Sequence, residues 1–443
     1  MLSTADRSLI RQERHIPGLE AALSAPRMAE IIQGALCGDD FPELAAYYVR
    51  YKPGTSCLVG YHASIDGRAA YCYATAYAPV GYAKLQALAR LLNADAKPNP
   101  CPSVAPGAID LARGIGIRFA HADRKITASA RLWCPDGLRA ILARALPDLD
   151  HTTDSASPAA LHAEILRYKP ERRLVARLQV GAQHYLLKAY TAHDYQLVAP
   201  RAKHMPHPGG VHLQARLGKS ARHHVQLFEW LDGTPLDARL ADATPDQCAA
   251  LMDAVAQALA DLHNAPAPGK RSPSHTQEWN RTVIAGDALQ MLVPTTGQAV
   301  AALLQTLQPC LASPSPVNAP IHNDCSADQF IRLPDQRLAL LDWDQAAWGD
   351  PMRDLAAFAA NLYLKATSHG FVDRARVEPA IQRLLRAYAQ AAPDNFAADR
   401  FRAHLAARLL RLAPEPFRHR RAHWDQDLLA LLHCAQEICH HDF

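Results

Sequence analysis

No run of about eighteen consecutive apolar residues occurs in this 443-residue sequence, which excludes a membrane-spanning helix of ordinary length. The ten cysteines include no Cys-x-x-Cys pair and no framework spacing, which excludes a disulfide scaffold and reads as reduced, packed thiols. Neither sign of charge dominates. Forty-seven Lys and Arg stand against 43 Asp and Glu, and a dispersed net charge of +4 gives no footprint for nucleic acid. The first residues, Met1 to Arg7, lack the apolar core of a signal peptide, so a cytoplasmic location is expected. The tail offers His433, Cys434, Cys439, His440 and His441, but the two cysteines are five apart on an expected helix and face different sides, which is poor spacing for zinc. What is present is ordinary for a globular chain, 49% hydrophobic and 20% charged, with length for two or three domains.

The informative pattern lies between Ile321 and Asp350. His322-x-Asp324-x-x-x-x-Gln329 is followed by two short apolar runs, Phe330 to Leu333 and Leu338 to Leu341, around the turn Pro334-Asp335-Gln336. Paired as a hairpin, the runs return Asp342 to the neighbourhood of Gln329. An aspartate, an amide and a second aspartate then share one open end. That set suits phosphoryl transfer, which needs Mg²⁺ on hard oxygen ligands and a carboxylate to orient the attacking hydroxyl. Asp324 is the candidate for the hydroxyl, with Gln329 and Asp342 as candidates for the metal and Asp344 as an additional one. Cys325 sits inside the motif without a triad around it and reads as a loop neighbour. Asp350-Pro351 has the form of a helix start, with aspartate as the cap and proline at the first helical position.

The segment resembles the aminoglycoside phosphotransferase and choline kinase-like family, whose usual form is H-G-D-x-x-x-x-N followed by I-D-W, then G-D-P-x-x-D-L-A. Leu341-Asp342-Trp343, Gly349-Asp350-Pro351 and Asp354-Leu355-Ala356 match the second part, with one extra residue before Gly349. Asn323 replaces the usual glycine and Gln329 the usual asparagine. The resemblance implies an α+β, bilobal protein kinase-like fold with an antiparallel-sheet N-lobe and a mostly helical C-lobe. It implies ATP and Mg²⁺ as cofactors and a small hydroxylated molecule as acceptor. In such a family Asp354 and His322 support the catalytic loop.

An N-lobe is then expected upstream. Residues 165–190 read as three strands, and the third carries Lys188 among apolar neighbours, where the family places the lysine that contacts nucleotide phosphates. Val225 to Leu236 resembles the family's hinge, whose backbone at Glu229, Trp230 and Leu231 would bond the adenine edge. A helix with apolar spacing through Leu251, Val255, Leu259 and Leu262 follows. Two features depart from the family. The turn Lys169 to Arg173 has no glycine, leaving Arg172 and Arg173 to supply charge instead, and no helical glutamate follows Lys188, leaving Asp194 or Gln196 as substitutes. These departures keep a second reading open, a catalytically impaired pseudokinase that senses nucleotide or acts as a scaffold.

The first third repeats this order. Arg50-Tyr-Lys-Pro53 duplicates Arg167-Tyr-Lys-Pro170, and laying Tyr77 on Tyr190 puts Thr75 where Lys188 sits. One reading makes this copy a packing or capping domain resembling a degenerate N-lobe; the other lets Lys52 and Gly54 contact phosphate. The first is preferred, because only the second copy is followed by a hinge. Residues 114–120 and 125–133 are expected as two further strands, and a helix is expected from Cys134 through Ala145. The domains expected are residues 1–150, 151–232 and 233–443, with linkers at 94–106 and 150–158 and a loop at 266–273.

Residues 361–443, which would shape the acceptor pocket in such a family, hold 12 Lys and Arg against 9 Asp and Glu. Polycationic acceptors need acidic surroundings, so a neutral or anionic acceptor such as a sugar is favoured over an aminoglycoside, although Asp394, Asp425 and Asp427 could serve an amine. The expected partners are a nucleotide and a small hydroxylated acceptor, with no nucleic acid and no membrane. Oligomeric state has no signature in the sequence.

Overall fold

Alternating tyrosine, valine and alanine residues in the first half of the chain form strands, and leucine-rich stripes in the second half form helices. The computed structural model describes residues 2–36, 43–65, 68–93, 107–147, 161–201, 209–266, 275–367 and 374–440. The expected linkers at 94–106 and 150–158, and residues 267–273 of the expected loop, lie outside the described residues. The chain divides into two compact units. The first comprises Met1–Leu197, Ala215–Trp230 and Phe417–Trp424; the second comprises Val198–Gln214, Leu231–Pro416 and Asp425–Phe443.

The first unit contains two five-stranded antiparallel sheets. One is built from β1 (Ala45–Lys52), β2 (Ser56–Ile65), β3 (Arg68–Tyr77), β4 (Gly107–Asp110) and β5 (Ile115–Phe119), in the spatial order β1-β2-β3-β5-β4. The other uses β6 (Leu161–Lys169), β7 (Arg173–Val180) and β8 (Gln183–Tyr190). After β9 (His212–Leu213), a strand of the second unit, it adds β10 (Arg216–Ser220) and β11 (Val225–Glu229), giving β10-β11-β8-β7-β6. Read from β6, the order is that of the first sheet.

The likeness extends to single residues. Thr75 pairs with Leu58 on one side and Gly116 on the other, as Lys188 pairs with Val175 and Gln226. The Tyr77 N–H donates to the Gly114 carbonyl, and the Tyr190 N–H to that of His224, both at 3.0 Å. Left-handed backbone falls at matching places as well, with φ +62° at Gly54 against +58° at Glu171, and +68° at Gly114 against +52° at His224. Glycine holds that conformation without steric cost, whereas Glu171 and His224 hold it against one.

Each β-turn of the Arg-Tyr-Lys-Pro segments is closed by a carboxylate from elsewhere in the unit. In the first sheet, Glu13 accepts from the Tyr51 hydroxyl at 2.7 Å and from the Gly54 N–H at 2.6 Å. In the second, Asp123 accepts from the Tyr168 hydroxyl and the Glu171 N–H, both at 2.8 Å, and also from the Lys125 N–H at 3.0 Å. The Glu171 carboxylate is itself bound by Arg50 at 2.6 Å and Lys125 at 3.0 Å. Burial alone would raise the Glu171 carboxyl, but these two cations outweigh it and hold the group below its ordinary pKa.

A shared core lies between the sheets. Tyr48, Leu58 and Tyr73 from the first pack in one cluster with Leu174, Leu178, Leu187 and Leu227 from the second. The helix Pro135–Ala145 joins this cluster, started by Pro135 at its first position and burying Leu138, Ile141, Leu142 and Ala145 along one stripe. Each large apolar side chain buried there contributes at most about 1.5–3 kcal/mol. The expected strand at 125–133 is corrected: the segment closes into a 3₁₀ helix at Ser129–Trp133. Its alternation of buried Ile126 and Ala128 is real, but the buried Ser129 hydroxyl turns back onto the Ala120 carbonyl. Near the chain start, Asp6 accepts from Arg420 and the Trp424 indole, which ties the 417–424 segment into this unit.

The second unit is mostly helical, with helices Pro245–His263, His275–Leu292, Gly297–Leu311, Met352–Thr367, Arg374–Ala391, Ala398–Leu412 and Trp424–His440. Thr244 opens the first of these with a capping box to Gln247. Five short strands complete the second unit besides β9: β12 (Thr234–Pro235), β13 (Ala319–Ile321), β14 (Phe330–Arg332), β15 (Leu338–Leu340) and β16 (Ala347–Gly349). β12, β14, β15 and β9 form one sheet, and β13 pairs with β16. Gly233 permits the approach to β14, since a Cβ there would stand 2.5 Å from the Arg332 carbonyl oxygen. The α+β class expected from the sequence holds. Among the described residues no helix is long and apolar enough to cross a membrane.

Asp123→Ala is expected to lower the folding stability of the first unit by roughly 2–4 kcal/mol, because it orphans the buried Tyr168 hydroxyl and the Glu171 amide together. Lys125→Ala, which removes only an exposed ion-pair partner, should cost under about 1 kcal/mol. Thermal unfolding of both variants checks the ranking.

Candidate active site

β14 and β15 pair antiparallel, with Phe330 opposite Leu340 and Arg332 opposite Leu338. The Leu341 N–H continues the ladder onto the Gln329 carbonyl at 2.9 Å, so Asp342 follows directly beside Gln329. Asp342 takes a left-handed backbone at φ +59°, ψ +62°, which turns the chain into the 3₁₀ turn Trp343–Gln345. Aspartate is among the few residues with tolerance for that conformation. Asp344 is buried inside the turn, and its carbonyl accepts from Arg201.

The loop before the hairpin is fixed by one buried carboxylate. Asp354, in the first turn of Met352–Thr367, accepts from the His322 N–H and the Asn323 N–H, both at 2.6 Å. His263 adds a third contact at 3.2 Å, and its other ring nitrogen lies 2.7 Å from the Tyr388 hydroxyl. Full burial would raise the Asp354 carboxyl, yet His263, His322 and these N–H groups hold it below its ordinary pKa. His322 continues the chain of contacts through Nε2 to the Leu341 carbonyl at 2.6 Å, with its ring edge-on to Trp343 at 4.9 Å. The support expected of His322 and Asp354 is thus visible as hydrogen bonds.

Asn323 stands where the family's glycine would be. Its φ is +66°, and asparagine is the residue after glycine with most tolerance for that region. The side chain adds two bonds that glycine lacks, donating to the Gln345 carbonyl at 3.0 Å and accepting from Arg353 at 2.5 Å. Arg353 in turn bonds Glu278 at 2.9 Å, and Arg411 bonds the other oxygen of Glu278 at 2.6 Å. Burial opposes ionisation of Glu278, but the surrounding arginines win and draw its pKa down to about 2.

Asp324 extends from this fixed loop with 47% of its side chain exposed, and the Arg408 guanidinium meets it at 2.5 Å. Its burial would raise the pKa and Asp342 pushes the same way, but Arg408 and His322 lower it, so the group is a carboxylate at neutral pH. Arg408 was not legible as a site residue. Its one sequence signal is a charge set among Leu405, Ala406, Ala407, Leu409 and Leu410, all of them buried. Asp350 caps the next helix by accepting from the Met352 N–H at 2.9 Å, and it also binds Arg400 and His404. The Cys325 thiol is fully buried, which pushes its pKa well above normal and removes it as a nucleophile.

Gln329, Asp342 and Asp344 supply oxygen donors only. No group of three His, Cys, Asp or Glu residues among the described residues forms a metal site. That donor set fits Mg²⁺, which takes one or two carboxylates and completes its shell with water and phosphate.

The remaining candidates lie in the first unit, apart from Leu231. Lys188 is buried on β8 with its ammonium 4.9 Å from the Phe228 ring centroid. Asp194 lies in the first turn of the short helix Ala192–Val198, where its own N–H is capped by Thr191, and Gln196 is exposed. The Glu229 N–H donates to the Ala215 carbonyl at 3.0 Å, and its side chain accepts from the Ala215 N–H at 2.6 Å. Trp230 and Leu231 follow the end of β11 outside regular structure, with the Arg177 guanidinium 5.6 Å from the Trp230 ring centroid.

The model of a phosphotransferase enzyme family matches residues 158–394, more than half of the chain. The chain belongs to this family. It is therefore a phosphotransferase, a small-molecule kinase, as the resemblance of its motifs implied. Among solved structures it is similar to a choline kinase from Cryptosporidium parvum Iowa II, at 9% identity over 64% of this chain and 90% of that one, with a TM-score of 0.45. It is also similar to a thermostable mutant of aminoglycoside phosphotransferase APH(4)-Ia in a ternary complex with ADP and hygromycin B, at 14% identity over 64% and 95%, TM-score 0.46. A third likeness is to choline kinase LicA from Streptococcus pneumoniae, at 14% identity over 63% and 93%, TM-score 0.40. No curated protein matches the sequence.

The depressed pKa of Glu278 makes a signed prediction. Its contribution to stability is complete above the unfolded value of 4.5 and fades as pH falls through the folded value of about 2. The stability difference between the wild type and Glu278→Gln should therefore be largest near neutrality and shrink steadily below pH 4.5. Chemical denaturation across that range measures it.

Proposed function

We propose that this phosphotransferase moves the terminal phosphoryl group of ATP, with Mg²⁺, to a hydroxyl of a small polyhydroxylated molecule. The observation that carries this reading is the shared anchorage of Asp324 and Asp342. Asp354 holds the amides before Asp324, and His322 holds the carbonyl before Asp342, so two carboxylates close enough to influence each other's ionisation project from segments on either side of the hairpin that His322 ties together.

In this reading Asp324 accepts a hydrogen bond from the attacking hydroxyl, orients it and takes its proton as the new phosphate ester forms. Its ionised state at neutral pH suits that task. Asp342, with Gln329 and Asp344, would hold Mg²⁺, which when bound supplies positive charge against the phosphate oxygens. The longer side chain of Gln329 presents the same amide oxygen as asparagine. Lys188 is assigned to the phosphates as a preorganised cation. Trp230 and Leu231 are the proposed backbone contacts for adenine, joined by the Glu229 carbonyl because the Glu229 amide is already engaged.

A second reading, a nucleotide-sensing pseudokinase, is favoured by one feature. The β6–β7 turn lacks glycine, and its Glu171 amide is committed to Asp123, so that N–H is not offered to phosphate. Acceptor-dependent ATP consumption, screened with Mg²⁺ against sugars, aminoglycosides, amino alcohols and nucleosides, separates the readings. Turnover with any acceptor removes the second one.

Asp324→Ala should lower turnover by about 10²–10⁴-fold while Mg-ATP binding persists, the scale expected for loss of a positioned general base. Asp342→Ala should weaken both. Wild-type binding and turnover in either variant would overturn the assignment.

A further inference from the structure

The second unit holds a pocket of about 480 Å³, lined from the helices His275–Leu292, Met352–Thr367 and Ala398–Leu412 and from the segment that follows Gly297–Leu311. That is many times the roughly 30 Å³ share of one water and lies within the usual range of small-molecule sites, about 300–1,000 Å³. Leu311 and Val317 give it an apolar wall.

The carboxylates on its wall are already paired within the protein. Glu278 is held by Arg353 at 2.9 Å and by Arg411 at 2.6 Å. Asp350 is bound by Arg400 and lies 3.2 Å from Nε2 of His404. With His404 counted as the neutral imidazole, the lining carries Glu278 and Asp350 against Arg353 and Arg400, so the charges cancel. A charged ligand would give up its hydration here without gaining a counter-ion of its own, which disfavours anions and ammonium groups alike.

Hydrogen-bonding capacity, in contrast, is left over. The side chain of His404 is 5% exposed. Burial would raise the Asp350 carboxyl, but His404 and Arg400 hold it low, so it is ionised and the facing Nε2 carries a hydrogen. The other ring nitrogen, Nδ1, is shut off from solvent and has no hydrogen-bond partner. The side-chain oxygen of Asn318, on the same pocket, is buried without a partner as well. Buried polar atoms are seldom left in this state. A hydroxyl group serves both: it donates to the amide oxygen, and it donates to Nδ1 of the neutral ring or accepts from Nδ1 of the protonated one. It does so without bringing a charge.

We propose that this pocket binds a small uncharged polyol, with hydroxyl groups bonded to His404 and Asn318 and its carbon skeleton against Leu311 and Val317. The pocket adjoins the loop of Asp324. Arg353 on its wall donates to the side chain of Asn323 at 2.5 Å, and Arg408, one helical turn after His404, bonds Asp324 at 2.5 Å. The binding stands without the kinase reading above, and whether the bound polyol is also the acceptor is a separate measurement.

D-Glucose, myo-inositol and ribitol are titrated calorimetrically into the full chain without nucleotide, beside D-glucuronate and D-glucosamine as charged counterparts. At least one uncharged probe should bind about tenfold or more tighter than either charged one. Val317→Trp, which fills the pocket, should abolish that binding, and Asn318→Leu, which removes one hydrogen-bonding group, should weaken it by about three- to tenfold. The proposal is overturned if no uncharged probe binds, if a charged probe binds as tightly, or if binding survives Val317→Trp in a chain that unfolds at the wild-type temperature. The wild-type ranking decides even where a variant fails to fold. Mg-ATP is then added to the polyol complex, and a phosphate ester formed on the polyol identifies it as the acceptor. Failure of the site therefore shows in the titration, and failure of the kinase reading only in this last step.

Discussion

The carboxylate of Asp354 is the constraint on which the loop before Asp324, the proposed catalytic residue, depends. It is fully buried and ionised, a costly state that persists because two backbone amides and a histidine surround it. Those amides belong to His322 and Asn323, directly before Asp324. The loop therefore has its geometry set by a residue some thirty positions later, and His322 passes the constraint on to Leu341 and hence to Asp342. In the function proposed for Asp324, rigidity of this kind would reduce the reorganisation needed when a substrate arrives.

Much of this was legible in order and spacing. The hairpin, its turn and the two supporting residues belong to one contiguous stretch, where local pairing rules apply. One departure from the family pattern, Asn323, also has a local explanation. Asn323 tolerates the left-handed backbone and uses its amide for two added bonds. The arginines were less visible. Arg408 reaches Asp324 across 84 positions, and Arg411 reaches Glu278 across 133, distances over which no periodicity carries information. The strand expected at 125–133 failed for a similar reason, since alternation of Ile126 and Ala128 could not reveal the bond from Ser129 to Ala120.

The repeated Arg-Tyr-Lys-Pro segment shows how the same local sequence meets the same need twice. In each sheet a tyrosine hydroxyl and the amide of a left-handed turn residue point at one place, and in each a carboxylate fills it. The donors come from the repeat, so they were readable. The acceptors, Glu13 and Asp123, come from unrelated positions and were not. Thr75 in the place of Lys188 marks where the two sheets diverge in chemistry while keeping one framework.

The shared core of the first unit bears on how this protein could be divided. The second sheet has no separate apolar interior, because Leu174, Leu178 and Leu187 belong to one cluster with residues of the helix Pro135–Ala145 and tyrosines of the other sheet. Removing the first 150 residues would strip that cover and also take Asp123 from the Tyr168 hydroxyl and Glu171 amide it satisfies. The family match begins at residue 158, yet the smallest piece able to keep its β6–β7 turn in place starts well before it. The start of the family match and the limits of the packed core fall at different points in this chain.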